Sequence, residues 1–128
     1  MLILDENVIE AQRQLFLRRR FHVRQIGIEL GWKSMGDDDV LRLLRTLRHP
    51  VLITGDQRLF HRDSCHARYT IVIIDGRRDE VFPLTVRLLR HREFENASQR
   101  VGRVVRASND VVRVLRVGDA RQRTIEWE

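Results

Sequence analysis

Two short apolar runs, each leading to a carboxylate, constrain this chain more than any other feature. Leu2-Ile3-Leu4 runs into Asp5, and Val51-Leu52-Ile53 runs through Thr54-Gly55 to Asp56. Apolar runs of this length read as strands buried on both faces. With helical stretches between them, they predict a parallel sheet. In an open parallel sheet, ligands bind just beyond the carboxyl ends of the strands, which is where Asp5 and Asp56 would emerge.

The rest of the chain fits around these runs. Val8, Ala11, Leu15 and Phe16 recur at helical spacing after Asn7, a good N-cap, and Arg18-Arg19-Arg20 suit the helix C-terminus. Phe21 to Ile26 alternates apolar and polar and predicts a half-exposed second strand. After a loop over 27–36, Asp37-Asp38-Asp39 opens a helix with an apolar face of Val40, Leu41, Leu43, Leu44 and Leu47. Pro50 closes that stretch. Tyr69 to Ile74 predicts a fourth strand ending at Asp75-Gly76. A further helix then begins near Val81-Phe82-Pro83 and runs to about Phe94.

The composition changes after Asn96. Valines dominate, and Ser108-Asn109-Asp110 and Gly118-Asp119 are turn signals. Strand, helix, strand, helix, strand, strand, helix predicts an α/β sandwich over residues 1–95. Residues 96–128 read as a small antiparallel β tail belonging to the same domain.

With 128 residues the chain is long enough to bury a core. No apolar run approaches the roughly 20 residues of a membrane span. There is no basic start followed by an apolar stretch, and Cys65 is the only cysteine, so the sequence reads as cytoplasmic. The formal net charge is +6, and Lys33 is the only lysine among 24 basic residues. The arginine bias fits a GC-rich genome. The charge itself favours nucleic acid or an acidic partner protein.

Asp5-Glu6, Asp37-Asp38-Asp39, Asp56 and Asp75 all fall near predicted strand or helix ends. Two carboxylates about 4 Å apart repel by roughly 4 kcal/mol at an intermediate dielectric, so acids gathered in one site call for a cation. Mg²⁺ or Mn²⁺ takes hard oxygen ligands, and can acidify a water and neutralise a phosphodiester. Each acid also has an ordinary structural explanation. The Asp37 run caps a helix and suits its dipole, while Asp56 and Asp75-Gly76 are turn formers. Asp5 is the hardest to explain that way, because a carboxylate at the exit of a buried strand is costly unless paired or solvated.

Three motifs in order carry a resemblance: Leu2-Ile3-Leu4-Asp5-Glu6-Asn7, the Asp37-x-x-Val40 helix start, and Leu52-Ile53-Thr54-Gly55-Asp56. Together they resemble the PIN-like domain family related to VapC-type toxin ribonucleases, over about residues 1–95. The resemblance implies a three-layer sandwich around a mainly parallel sheet. It also implies an Mg²⁺- or Mn²⁺-dependent endoribonuclease, often paired with an antitoxin protein and often a homodimer. Its acids fall on Asp5, Asp37 and Asp56, with Asp38 available if the register slips by one; Asp75 (or Asp63) is a further candidate metal ligand that no family motif marks. Where the family often carries a second Asp after the third strand, this chain has Arg58. Arg58 and Arg62 are the candidate contacts to RNA phosphates.

Other motifs lead elsewhere less well. His61, Cys65 and His66 lack a clear fourth zinc ligand. His61-Arg62-Asp63 spells a kinase triplet without the rest of a kinase. No glycine-rich phosphate loop is present. A phosphoryl-accepting receiver needs a lysine late in the chain, and Lys33 lies early. A non-catalytic nucleic-acid or protein binding module that has lost part of its metal site is the alternative to the nuclease.

Overall fold

The computed structural model of the chain describes residues 1–127. Seven strands, β1 (Leu2–Leu4), β2 (Val23–Gln25), β3 (Val51–Thr54), β4 (Thr70–Asp75), β5 (Arg103–Ser108), β6 (Val111–Arg116) and β7 (Arg123–Glu126), form one sheet in the order β2-β1-β3-β4-β5-β6-β7. The first five are mutually parallel, and β6 and β7 are antiparallel to their neighbours. Four helices connect them: α1 (Glu10–Arg18), α2 (Asp37–Thr46), α3 (Val81–Leu89) and the short α4 (Ala97–Arg100).

Side chains alternate across a strand, so each buried run feeds two cores. Leu2, Leu4, Ile53, Val72, Ile74 and Val105 pack on one face with Phe16 of α1 and Phe82, Leu84 and Leu88 of α3. Ile3, Leu52, Ile71, Ile73 and Val104 pack on the other with Val40 and Leu44 of α2. Phe16 meets Phe82 edge-to-face at 4.9 Å. Gln12, buried between α1 and α3, accepts the backbone N–H of Phe82 at 2.8 Å.

The expected PIN-like architecture, a mainly parallel sheet sandwich followed by a small antiparallel β tail, is not what the chain forms. The valine-rich end of the chain is built into the sheet: β5 runs parallel to β4, with Val72 opposite Val105, and only β6 runs against the other strands, flanked by β5 and β7. The physical reason lies in the connection between β4 and β5. It is long and helical, which suits a parallel crossover, whereas the two-residue turn at Asn109-Asp110 suits an antiparallel hairpin. The result is a single mixed seven-stranded sheet.

Smaller differences follow from packing. The α1 cap is Ile9 rather than Asn7, and no side chain caps that end. The helix expected to reach Phe94 stops at Leu89. Among the described residues, no helix is long and apolar enough to cross a membrane.

Candidate active site

The chain steps from β1 out to β2 and then back across β1 to β3, so the strand order reverses between β1 and β3. At such a reversal the loops leaving two adjacent parallel strands part and open a crevice at their carboxyl ends. A cavity of about 710 Å³ lies there, and Asp5, Asp37, Asp56 and Asp75 all line it. These four acids come from the exits of β1, β3 and β4 and from the first turn of α2.

Asp5 is held from several sides. Its backbone N–H donates to the Ile53 carbonyl at 2.9 Å, which ties the exit of β1 to β3. The buried amide of Gln25, on β2, donates to the carbonyls of Asp5 at 3.0 Å and Val8 at 2.9 Å and so fixes the loop that follows. The Thr54 hydroxyl donates to Asp5 Oδ2 at 3.1 Å, while Thr54 Oγ1 accepts the Asp56 backbone N–H at 3.1 Å. One threonine thus links the two acids. Burial raises the Asp5 carboxyl above its ordinary range. The Thr54 hydrogen bond pulls the other way, and the charges of Glu6 and Asp56 add to the rise.

Asp56 has the opposite environment. It caps the 3-10 turn Gln57–Leu59 by accepting the Arg58 backbone N–H at 3.0 Å. The Arg58 guanidinium also forks onto it, with Nε to Oδ1 at 3.0 Å and Nη2 to Oδ2 at 3.0 Å. That hydrogen bonding holds the Asp56 carboxyl below its ordinary range. The same Nη2 lies 3.9 Å from Asp37 Oδ2, so Arg58 bridges the second and third acids. Asp75 is 3.5 Å from Arg106 Nε, an ion pair made possible because β5 flanks β4.

Not every predicted residue arrives. Asp38 is exposed on the first turn of α2 and does not line the cavity, because its neighbour Asp37 takes the inward position. Arg62 sits in an exposed 3-10 turn, Arg62–Ser64, outside the cavity. Several lining residues were given no role of their own from the sequence. Both carboxylate oxygens of Glu6 accept the Ser34 backbone N–H, at 2.9 and 3.0 Å, and this pins the 27–36 loop beside the cleft. Arg77 and Arg78 stand on the rim after Asp75. The Asp5-Glu6-Asn7 and Thr54-Gly55-Asp56 strings carried the signal for Glu6 and Thr54.

Comparison with protein-family models, with curated proteins and with solved structures found no match. The chemistry of the site therefore rests on its own residues.

The donor set suits a hard divalent cation, because it is carboxylate and hydroxyl oxygen without sulfur. Asp5 in particular is a half-buried carboxyl whose desolvation is only partly offset by Thr54, and a cation would offset the remainder. Among the described residues, however, no three His, Cys, Asp or Glu side chains already stand as a metal shell. Arg58 supplies the positive charge instead. The residues fit the ion by chemistry once Arg58 releases Asp56.

Proposed function

We propose that this chain is a metal-dependent ribonuclease of the kind implied by its resemblance to the PIN-like, VapC-related family, acting as the toxin of a toxin–antitoxin pair. The observation that carries this reading is the convergence of Asp5, Asp37, Asp56 and Asp75 on one cavity at the carboxyl ends of parallel strands. Asp5, Asp37 and Asp56 would hold Mg²⁺ or Mn²⁺, with Asp75 at the margin. Such an ion supplies charge neutralisation at a phosphodiester and an acidified water.

The chain's own groups do the rest. Thr54 keeps Asp5 oriented by donating to Oδ2 and couples its position to Asp56. Arg78, which has no ion pair among the described residues, stands on the rim where a flanking phosphate would approach. Arg58 is exposed and has a phosphate as a natural second partner for its fork when it leaves Asp56.

The fork between Arg58 and Asp56 favours a second reading, in which the fold binds RNA or a protein without cleaving it. One experiment separates the two: incubation of purified protein with RNA, with and without Mn²⁺, beside Asp5→Asn. Cleavage that needs the metal and is lost in Asp5→Asn supports the nuclease. Cleavage that survives both EDTA and Asp5→Asn refutes it, and metal-independent binding without cleavage leaves the second reading.

A further inference from the structure

A second cavity, of about 450 Å³, lies on the helical face formed by α1 and α3. Arg19, Arg87 and Arg90 line it together with Phe82, His91 and Trp127. Among the described residues no carboxylate lines it, and none of the three arginines has an ion pair. Two of them lie over aromatic rings instead: Arg87 is 4.1 Å from the Trp127 ring centre, and Arg19 is 5.9 Å from that of Phe82.

His91 adds an unmet donor. Its side chain is 7% exposed. Nδ1 accepts the Glu93 backbone N–H at 3.1 Å, which leaves the proton of the neutral ring on Nε2. Nε2 is buried and has no partner. Among the described residues the groove is therefore lined by arginines without a carboxylate partner, Arg87 donating only to the Asn109 carbonyl at 3.3 Å, and by aromatic rings and one unpaired N–H. It also adjoins the acidic cleft along the chain: Val81, the first residue of α3, lines the cleft, and Phe82 lines the groove.

We infer that this groove binds a stretch of single-stranded RNA, with a base against the half-buried Trp127 and phosphates on Arg87, Arg90 and Arg19. Unpaired nucleotides present a flat π-face and an anion at every step, which is the combination the groove complements. An acidic peptide would match the charge but offer no flat π-face to the paired Trp127 ring and Arg87 guanidinium. A second copy of this chain would bring like charge to the groove, since the chain carries +6. RNA as the ligand rests on the ribonuclease reading, and the test separates the two by measuring binding in EDTA, where cleavage plays no part.

The probe is a fluorescein-labelled oligouridylate, titrated with full-length protein and followed by anisotropy over a range of salt. Arg87→Gln/Arg90→Gln is compared with Arg113→Gln/Arg116→Gln, which removes the same charge from an exposed part of β6. The groove variant should bind about tenfold more weakly, and the slope of log K against log salt should fall by about 1.4, at about 0.7 per lost phosphate contact. The β6 variant should stay close to wild type. Equal losses in both variants, or none in the groove variant, overturns the proposal. Binding of polyglutamate but not oligouridylate does so as well. A stacking readout comes from Trp32→Phe, which removes the exposed loop tryptophan and leaves Trp127 alone. Its fluorescence should be quenched by the oligonucleotide, and unchanged emission at saturation refutes stacking on Trp127.

Discussion

Arg58 grips Asp56 through two parallel hydrogen bonds of 3.0 Å, and the same guanidinium reaches toward Asp37. A side-chain cation thus stands between two acids of the proposed metal site. Because the Arg58 side chain is 81% exposed, water and salt screen the grip, and it is this screened contact that a divalent ion would have to displace.

Arg58→Gln should therefore bind Mn²⁺ several-fold more tightly than wild type, since glutamine removes the competing charge and keeps a polar side chain. Titration of the free Mn²⁺ signal by electron paramagnetic resonance measures this directly. Equal or weaker affinity in the variant would show that Arg58 does not compete with the ion.

Asp5→Asn should abolish metal-dependent cleavage and at the same time stabilise the fold at neutral pH. Burial raises the Asp5 carboxyl in the folded state, so the folded protein holds a proton that the unfolded chain has already lost. The stability contribution is fully present below the ordinary carboxyl value of 3.8 and is lost as pH rises through the raised folded value. Asparagine retains an acceptor for Thr54 without the charge. Thermal melts at neutral pH should rise on the order of 3 °C, and the gap should close in acid. A lower melting temperature for the variant at neutral pH would contradict the account.

Asp56 runs the other way. Its carboxyl is held low by Arg58, so its contribution is present above 3.8 and is lost as pH falls through the lowered folded value. In Arg58→Gln that acid-side loss should shrink. Chemical denaturation repeated across the acidic range reads it, and an unchanged profile would mean that the fork adds nothing to stability.

Gln25→Ala should destabilise by about 1–3 kcal/mol, because it strips the donor from the Asp5 and Val8 carbonyls inside the structure. It should also loosen the loop that aims Asp5, so metal affinity and stability should fall together. Urea unfolding and Mn²⁺ titration on the same sample check both, and full metal affinity in a destabilised variant would separate the clamp from the site.

Gly102→Ala should cost about 1 kcal/mol or more. Gly102 sits at φ +85°, and an added Cβ would lie 3.1 Å from Val117 Cγ1. Its N–H donates to the Tyr69 carbonyl, and its own carbonyl accepts the Val117 N–H, so it joins the start of β5 to both neighbouring strands. Urea unfolding reads the cost, and a neutral effect would show that the turn relaxes freely.

The strand Val51–Thr54 and the helix opening at Asp37 were legible because local pattern and local chemistry agree there. The acids were legible as a set because strand exits in a parallel sheet share one end. The direction of β5 was not. Arg103 and Arg106 flank Val104-Val105 as at the ends of a short strand, yet Val104 and Val105 are both fully buried and Arg106 leans over Phe60 to reach Asp75. Only the length and helical content of the connection from β4 pointed to a parallel crossover. Gln12 and Gln25 were unreadable for another reason. Nothing nearby in sequence says that a glutamine is buried when its partners lie 17 to 70 residues away.

The inboard position of β5 has a consequence for shortened versions of the molecule. A polypeptide stopped after Glu95 still carries every acid of the cleft, but it lacks the neighbour that seals the flank of β4. Ile71, Val72, Ile73 and Ile74 would then border a row of bare amides and carbonyls, an invitation to stick to other chains rather than to fold.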